Sequence, residues 1–358
     1  MKTVTVPFFI AHQGCPHRCV FCNQVSISGG PERLPEPGEM LERIAAYRAS
    51  AGESRLDAAF FGGTFTSLPR SRQEALLAPL RPLLRSGEIA SVRISTRPDA
   101  LDRETAVFLG ERGVETVEIG VQSLDDTVLS LAGRGHSARD AEEAVSLLSG
   151  AGFRVGIQLM PGLPGDTPET ALASFRRAIG LRPGFLRIYP TLVFAGTELE
   201  RRYRDGTYTP LTLADAVSLC KVMRHEALRA SIPVVRIGLQ ATGDLREGGE
   251  MVAGPWHPAF RQMVEAELFF DLMSKLSCRV PQGEGVTFRV SPGRLSDAAG
   301  QCRANLKRLG EGRGWKGAAI RPDPRLSPLE VIMEAGNHVR TGSLLNDLDY
   351  SGGDTAHA

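Results

Sequence analysis

Nowhere in the 358 residues is there a run approaching the roughly 18 consecutive apolar residues a membrane-crossing helix requires, so no helical span is expected. Charge of one sign is missing too: 42 Lys and Arg face 41 Asp and Glu, a formal net charge of +1. The molecule as a whole therefore carries no electrostatic footprint for nucleic acid or a membrane surface, and any basic surface must be local. The opening MKTVTVPFFIAHQG has one lysine and an apolar run too short for a secretory leader. A disulfide framework is absent as well. Of six cysteines, three crowd into residues 15–22, while Cys220, Cys278 and Cys302 are scattered. That distribution points to a metal site in a reducing cytoplasm. The apolar fraction of 42% and charged fraction of 23% are those of an ordinary globular protein, long enough for one large α/β domain and a smaller appendage.

What is present alternates. Short apolar, β-rich runs at 4–10, 58–61, 92–96, 116–119, 155–159 and 185–189 are separated by helical patterns near 38–50, 71–85, 102–112, 138–151, 168–180 and 212–230. Six β-then-α units in succession predict a parallel sheet, because each parallel crossover needs a connection of helix length. With right-handed crossovers they curl into a partial (β/α)6 TIM-type barrel, whose chemistry lies at the carboxyl ends of its strands. Those ends read HQGCPHRCVFC, FGGTFTS, STRPD, EIGVQS, QLMPGLPG and YPTLVFAGT, all rich in Gly, Pro, Ser, Thr or Gln. A further short strand is expected at 233–240, closing a first domain over 1–240. Residues 241–258, rich in Gly and Pro, read as a linker or lid.

A small α+β domain is expected over 259–345, with a flexible tail from 346 to 358. Its amphipathic helix at 259–276 carries Phe260, Met263, Val264, Phe269, Phe270, Met273 and Leu276, the face of a core. After it come a strand at 286–290, one helix at 295–309, and strands at 317–321 and 330–333.

Cys15, Cys19 and Cys22 have the spacing C-x3-C-x2-C on a loop that follows the first strand. Such a loop brings three thiolates onto three irons of a cubane and leaves the fourth iron open to a small molecule. The same residues with His17 or His12 also suit a closed Cys3His zinc knuckle. From spacing alone both remain. Cys220, Cys278 and Cys302 read as small hydrophobes rather than a second cluster, since they lack close spacing, and His257 reads as a turn residue.

The motifs beyond the loop follow in order: FGGTFTS (61–67), VEIGVQSLDDTVLSLAGRGHS (117–137), VGIQLMPGLPGDT (155–167) and VVRIGLQ (234–240). With Phe21 before the last cysteine, this series resembles the radical S-adenosylmethionine superfamily. Within it the likeness is to the oxygen-independent coproporphyrinogen oxidases and the catalytic subunit of Elongator. The resemblance implies a [4Fe–4S] cluster on Cys15, Cys19 and Cys22, with Phe21 beside it and S-adenosylmethionine on the open iron. It sets Gly62, Gly63 and Thr64 at the methionine amino group, Gln122 and Gln158 at the ribose hydroxyls, and Arg134 at the carboxylate. Two departures stand out. Ser95 occupies the place of a Glu in both families, and Gln158 that of an Asp in the coproporphyrinogen oxidases. Glu118 is either a substitute carboxylate or a structural ion-pair partner.

The chemistry so implied is reductive cleavage of S-adenosylmethionine to a 5′-deoxyadenosyl radical, in an oxygen-sensitive enzyme served by a flavodoxin- or ferredoxin-type electron donor. The substrate clue is at the C-terminus, where Arg303, Lys307, Arg308, Arg313, Lys316, Arg321 and Arg325 cluster around a small-residue turn. That unit loosely resembles a KH-type RNA-binding module, without the second glycine of the GXXG loop. A solvated face on a structural cap is the alternative. Nothing resembles the acetyltransferase domain of the Elongator family, and the chain ends too early to hold it. The leading expectation is modification of an RNA nucleoside, in tRNA or rRNA. Radical chemistry on a porphyrin-like carboxylate or a queuine-type modified base is a second, and a non-catalytic cluster- or haem-binding protein a third. No sequence feature sets an oligomeric state.

Overall fold

A computed structural model describes residues 3–23, 33–239, 250–311 and 313–350. The chain forms two compact units, Met1–Leu211 with Ile232–Pro255, and Thr212–Ser231 with Trp256–Ala358.

In the first unit seven strands form one sheet: β1 (Thr3–Phe9), β2 (Arg55–Phe61), β3 (Ser91–Thr96), β4 (Val114–Gln122), β5 (Arg154–Leu159), β6 (Phe185–Ile188) and β8 (Val234–Ile237). Their order is β1-β2-β3-β4-β5-β6-β8 and every pairing is parallel. Because β1 and β8 do not pair, the sheet stays open, the partial barrel the alternation predicts. Helices cross between the strands: α1 (Pro37–Ala51), α2 (Arg70–Leu77), α3 (Arg81–Ser86), α4 (Arg103–Glu111), α5 (Asp126–Leu131), α6 (Ala138–Gly150), α7 (Pro168–Gly180) and α8 (Glu198–Arg204). The expected single helix at 71–85 is broken by a short 3₁₀ turn at 78–80. Pro79 and Pro82 remove backbone donors there. The starts of α6 and α7 are fixed by capping boxes at Ser137–Asp140 and Thr167–Thr170.

Side chains alternate along each strand. Val6, Phe8, Leu56, Phe60, Val92, Ile94, Val117, Ile119, Val155 and Ile157 are buried and form the apolar side of the sheet. The intervening positions are different in kind. Asp57 accepts from Ser91, Arg93 pairs with Glu118, and Arg187 lies over the Phe61 ring. One face of the sheet is thus a hydrocarbon core, and the other carries a largely buried network of ion pairs and hydrogen bonds, with Arg93 and Arg187 lying over Phe185 and Phe61. Part of the expected lid, at 251–253, is instead a short strand, β9 (Met251–Ala253), antiparallel to β7 (Val193–Phe194). The remainder of that stretch, 240–249, lies outside the described residues, as does Gln240 of the VVRIGLQ motif.

The second unit contains α9 (Leu213–Arg229), α10 (Phe260–Ser277), β10 (Gly285–Val290), α11 (Leu295–Ala299), α12 (Ala304–Gly310), β11 (Gly317–Pro322), β12 (Glu330–Ala335) and β13 (His338–Ser343). The sheet order is β11-β10-β12-β13, with β10 parallel to β11 and antiparallel to β12. Phe269, Leu272 and Met273 of α10 pack on Val286, Phe288 and Met333 of the sheet. Glu265, 3% exposed, holds α9 and α10 together through Arg224 at 2.9 Å and also receives Arg294 at 2.6 Å. Burial works against its charge, but these two guanidiniums keep its carboxyl below the ordinary range.

Three expectations for this unit change. The helix at 295–309 is two helices, parted where Gly300, Cys302 and Arg303 take positive φ. β13 is an additional strand. Residues 346–350 are packed rather than frayed: Leu348 is buried and the Tyr350 hydroxyl donates to Asp271. Residues 351–358 lie outside the described residues.

Candidate functional site

The loop after β1 and the loop after β2 are pressed together, backbone on backbone. Ile10 N–H donates to the Phe61 carbonyl at 2.8 Å, His12 N–H to Gly62 at 3.0 Å, and Thr64 N–H to Gln13 at 2.9 Å. A Cβ on Gly63 would sit 2.4 Å from the Ile10 carbonyl oxygen and 2.5 Å from that of Gln13. Only glycine fits. His12 and Gly14 take positive φ to turn the chain into the cysteine run. The buried Thr64 hydroxyl then meets Cys15 Sγ at 3.3 Å.

From the other side the run is held by Val20 N–H on the Ala132 carbonyl and by Leu199 N–H on the Val20 carbonyl. Val20 and Phe21 are buried in an apolar cluster with Val128, Leu163, Val193 and Tyr208. Phe21 therefore anchors the loop from behind.

Cys15, Cys19 and Cys22 are half-buried, and none is in a disulfide. Cys19 stands apart electrostatically. Arg134, 5% exposed, directs Nη1 at its sulfur at 3.1 Å and Nη2 at the Gly120 carbonyl. Arg97, 4% exposed, lies 3.9 Å from the same sulfur and grips Asp99 with two bonds of 2.9 Å. It also donates to the Arg134 carbonyl. Beside them His136 is held down to about 4 by burial and by the charges of Arg134 and Arg97, so its ring is neutral near pH 7.

At the end of β4 the register slips between Gly120 and Gln122, and Gln122 adopts φ 69°. Such a bulge re-aims the side chain that follows it. Gln122 Oε1 accepts from the Gln158 amide at 3.3 Å. A Cβ on Gly120 would lie 2.9 Å from the Gln122 amide nitrogen and 3.6 Å from Arg134 Nη2. The glycine lets both side chains lie over it.

A continuous series of contacts thus links Cys19, Arg134, Gly120, Gln122 and Gln158. Cys15 and Thr64 form a second contact, against the glycines at 62–63. Ser95 is half-buried near the end of β3, and its hydroxyl makes no hydrogen bond among the described residues. Glu118 sits deeper, two residues before Gly120 in β4. Arg93 reaches it at 3.0 Å and Arg187 at 2.9 Å, while Arg187 also bonds the Tyr189 hydroxyl. Burial opposes the charge on Arg187, yet Glu118 and Tyr189 raise its pKa. Glu118 is thus an ion-pair partner of both arginines. Sequence reasoning missed Arg97 and His136; the signal for Arg97 was an Arg-Pro-Asp at a strand end, a guanidinium two residues from a carboxylate.

Do these residues suit an iron–sulfur cluster? Arg134 is a buried cation with no carboxylate partner among the described residues, and its Nε has no hydrogen-bond partner. An unpaired buried charge is costly. An anionic group held at these thiolates would offset it. Among the described residues no three His, Cys, Asp or Glu side chains converge as they do on one metal ion. His17, an alternative zinc ligand, instead packs its ring against Gly135. A cubane makes a different demand, one thiolate on each of three irons, which the C-x3-C-x2-C spacing suits. Of the other cysteines, Cys220 is a buried thiol that burial pushes up, whereas Cys278 and Cys302 are exposed. His257 Nδ1 accepts from Ala259 N–H, a turn role. A cleft of about 420 Å³ beside Gly162–Asp166 is lined by groups already bonded, including Tyr208 to the Gly162 carbonyl and Asp166 to the Gly162 N–H.

The profile of the Radical SAM superfamily matches residues 9–178, and that of the Radical_SAM C-terminal domain matches 183–269. The chain belongs to the radical SAM superfamily. The cofactors of that superfamily are a [4Fe–4S] cluster and S-adenosylmethionine. A tRNA uridine(34) acetyltransferase of Dehalococcoides mccartyi is 28% identical over 289 residues, 69% of this chain and 63% of that protein. One of Methanocaldococcus infernus is 35% identical over 129 residues, 35% of this chain and 24% of that protein. The chain thus spans less than two thirds of the length of either relative. The Elongator complex protein 3 of Danio rerio is 33% identical over 182 residues, 44% of this chain and 33% of that protein. In fold the chain is similar to an N-terminally truncated archaeal Elp3 of Methanocaldococcus infernus. Its TM-score is 0.57 at 21% identity, over 77% of this chain and 64% of that one. No helix among the described residues is long and apolar enough to cross a membrane.

Proposed function

We propose that this chain is a radical S-adenosylmethionine enzyme that modifies a nucleoside of transfer RNA. The observation that carries the reading is the series of contacts from Cys19 through Arg134 and Gly120 to Gln122 and Gln158, joining the cysteine loop to the ends of β4 and β5. Cys15, Cys19 and Cys22 are the cluster ligands, leaving one iron open. The reduced cluster, when bound, supplies the electron that breaks a carbon–sulfur bond of S-adenosylmethionine.

The residues of this chain bind and aim. Arg134 has a free buried Nε for the methionine carboxylate. Gln122 and Gln158, already in contact, offer amide groups to the ribose hydroxyls. With Glu118 engaged by two arginines and a serine at 95, the backbone of Gly62 and Gly63 carries the recognition of the amino group. Phe21 and Val20 keep water from the back of the loop. His136, neutral and buried, is no proton donor near pH 7.

Transfer RNA is favoured by the relatives' names and by charge in the second unit. Arg303, Lys307, Lys316 and Arg321 are exposed and have no ion-pair partner among the described residues. Arg308, Arg313 and Arg325 are engaged at home, with Glu267, with Ser274 and Ser277, and with Asp323. An electron donor of the flavodoxin or ferredoxin type completes the system.

The test begins with anaerobic reconstitution, S-adenosylmethionine and dithionite. 5′-Deoxyadenosine should form with the wild type and not with Cys19→Ser; none from a fully reconstituted wild type would sink the enzyme reading. Mass spectrometry of tRNA nucleosides from a deletion strain should then reveal a lost modification. Unchanged nucleosides beside an altered metabolite would replace RNA with a small-molecule substrate.

A further inference from the structure

We infer that Arg97 is a positioning residue that acts through Cys19 to set the reduction potential of the cluster. The inference rests on the reading of Cys15, Cys19 and Cys22 as cluster ligands.

The three cysteines sit in unequal surroundings. Cys15 faces a neutral hydroxyl, that of Thr64 at 3.3 Å. Cys19 faces two buried guanidiniums, Arg134 at 3.1 Å and Arg97 at 3.9 Å. Arg97 is the better anchored. Asp99 takes its Nε and Nη2 in a two-point grip, and the Arg134 carbonyl takes Nη2 as well. That last bond fixes the segment bearing Arg134, whose flanking Gly133 and Gly135 both have positive φ. One side chain thus places a charge beside the sulfur and also steadies the second charge.

Positive charge and hydrogen bonds at a ligating sulfur withdraw electron density and favour the reduced cluster. Arg97 and Arg134 are themselves buried beside the sulfur, so their charges are less screened there than at the surface. Asp99 partly offsets Arg97 and lies on its far side from the sulfur. The electrostatic role therefore has a sign that bracing alone lacks. Removing the Arg97 charge makes the cluster harder to reduce, and removing the Asp99 charge makes it easier.

The test compares reconstituted wild type, Arg97→Gln, Arg97→Lys and Asp99→Asn. Iron and acid-labile sulfide are measured first, then the midpoint potential by a redox titration followed by electron paramagnetic resonance, without S-adenosylmethionine. The expected result is a lower potential in Arg97→Gln, a value near wild type in Arg97→Lys and a higher one in Asp99→Asn. Unchanged potentials, or shifts of the same sign in Arg97→Gln and Asp99→Asn, would overturn the inference. If Arg97→Gln does not assemble a cluster, Asp99→Asn decides: a rise supports the inference, and no change or a fall overturns it. A wild type that takes up no iron and sulfide removes the cluster reading itself and this inference with it.

Discussion

Gly63 has two carbonyl oxygens within 2.5 Å of the place a Cβ would take, both from the loop that leads to the cysteines. Gly63→Ala should cost about 1–3 kcal/mol, as overpacking does, and should loosen the cysteine loop. Gly150→Ala, at a helix end with open space around it, should be neutral or stabilising by up to about 1 kcal/mol. Chemical denaturation of the pair checks this, and equal effects would refute it. His136 gives a pH signature. Its folded-state value of about 4 is below the 6.5 of an ordinary histidine. Between those values the unfolded chain holds a proton that the folded chain does not, so stability is full above 6.5 and falls as pH drops toward 4. The loss approaches roughly 3 kcal/mol at about 1.4 kcal/mol per pH unit. His136→Gln should flatten that slope; a curve identical to wild type would count against it. At this scale the cysteines were legible because their chemistry lies in local spacing. Arg97 was not, because its significance is a sulfur 78 positions earlier in the chain.

Among the elements, short apolar β-rich runs placed the strands of the sheet, and the helical patterns between them placed its crossovers; in the structure Ser137 and Thr167 cap two of those helices. The failures fell where backbone conformation overrides pattern. Residues 295–309 have helical periodicity throughout, yet the chain breaks at 300–303, with Cys302 and Arg303 at φ 50° and 61°. The side chain of Asn305 offers a reason. Its amide donates to the carbonyls of Ala266 and Ala298, bonds made across the break and to α10. Left-handed backbone costs a non-glycine residue about 1–2 kcal/mol, so Cys302→Gly should stabilise the protein, by up to about 1 kcal/mol after the entropy cost of glycine. A thermal melt that moves down would show that the strain is absent or offset.

For the molecule as a whole, the proposed contact with RNA is a statement about distribution of charge rather than net charge. Arg303→Glu with Lys307→Glu should weaken tRNA binding and reduce the slope of log affinity against log salt by about two, one for each lost phosphate contact. Arg308→Glu should mainly disturb its pair with Glu267 and its stacking on Phe270, and lower stability instead. Binding curves at several salt concentrations separate the two. The sequence by itself determined the β/α alternation, the three-cysteine loop and the polar character of the strand ends, because period, spacing and composition are properties of neighbouring residues. Only the tertiary structure decided that Glu118 belongs to Arg93 and Arg187, that Arg97 and Arg134 converge on Cys19, and which basic residues of the second unit are unpartnered. Each of those depends on distance between residues far apart in the chain, and a buried charge takes its role from the partner folding brings to it.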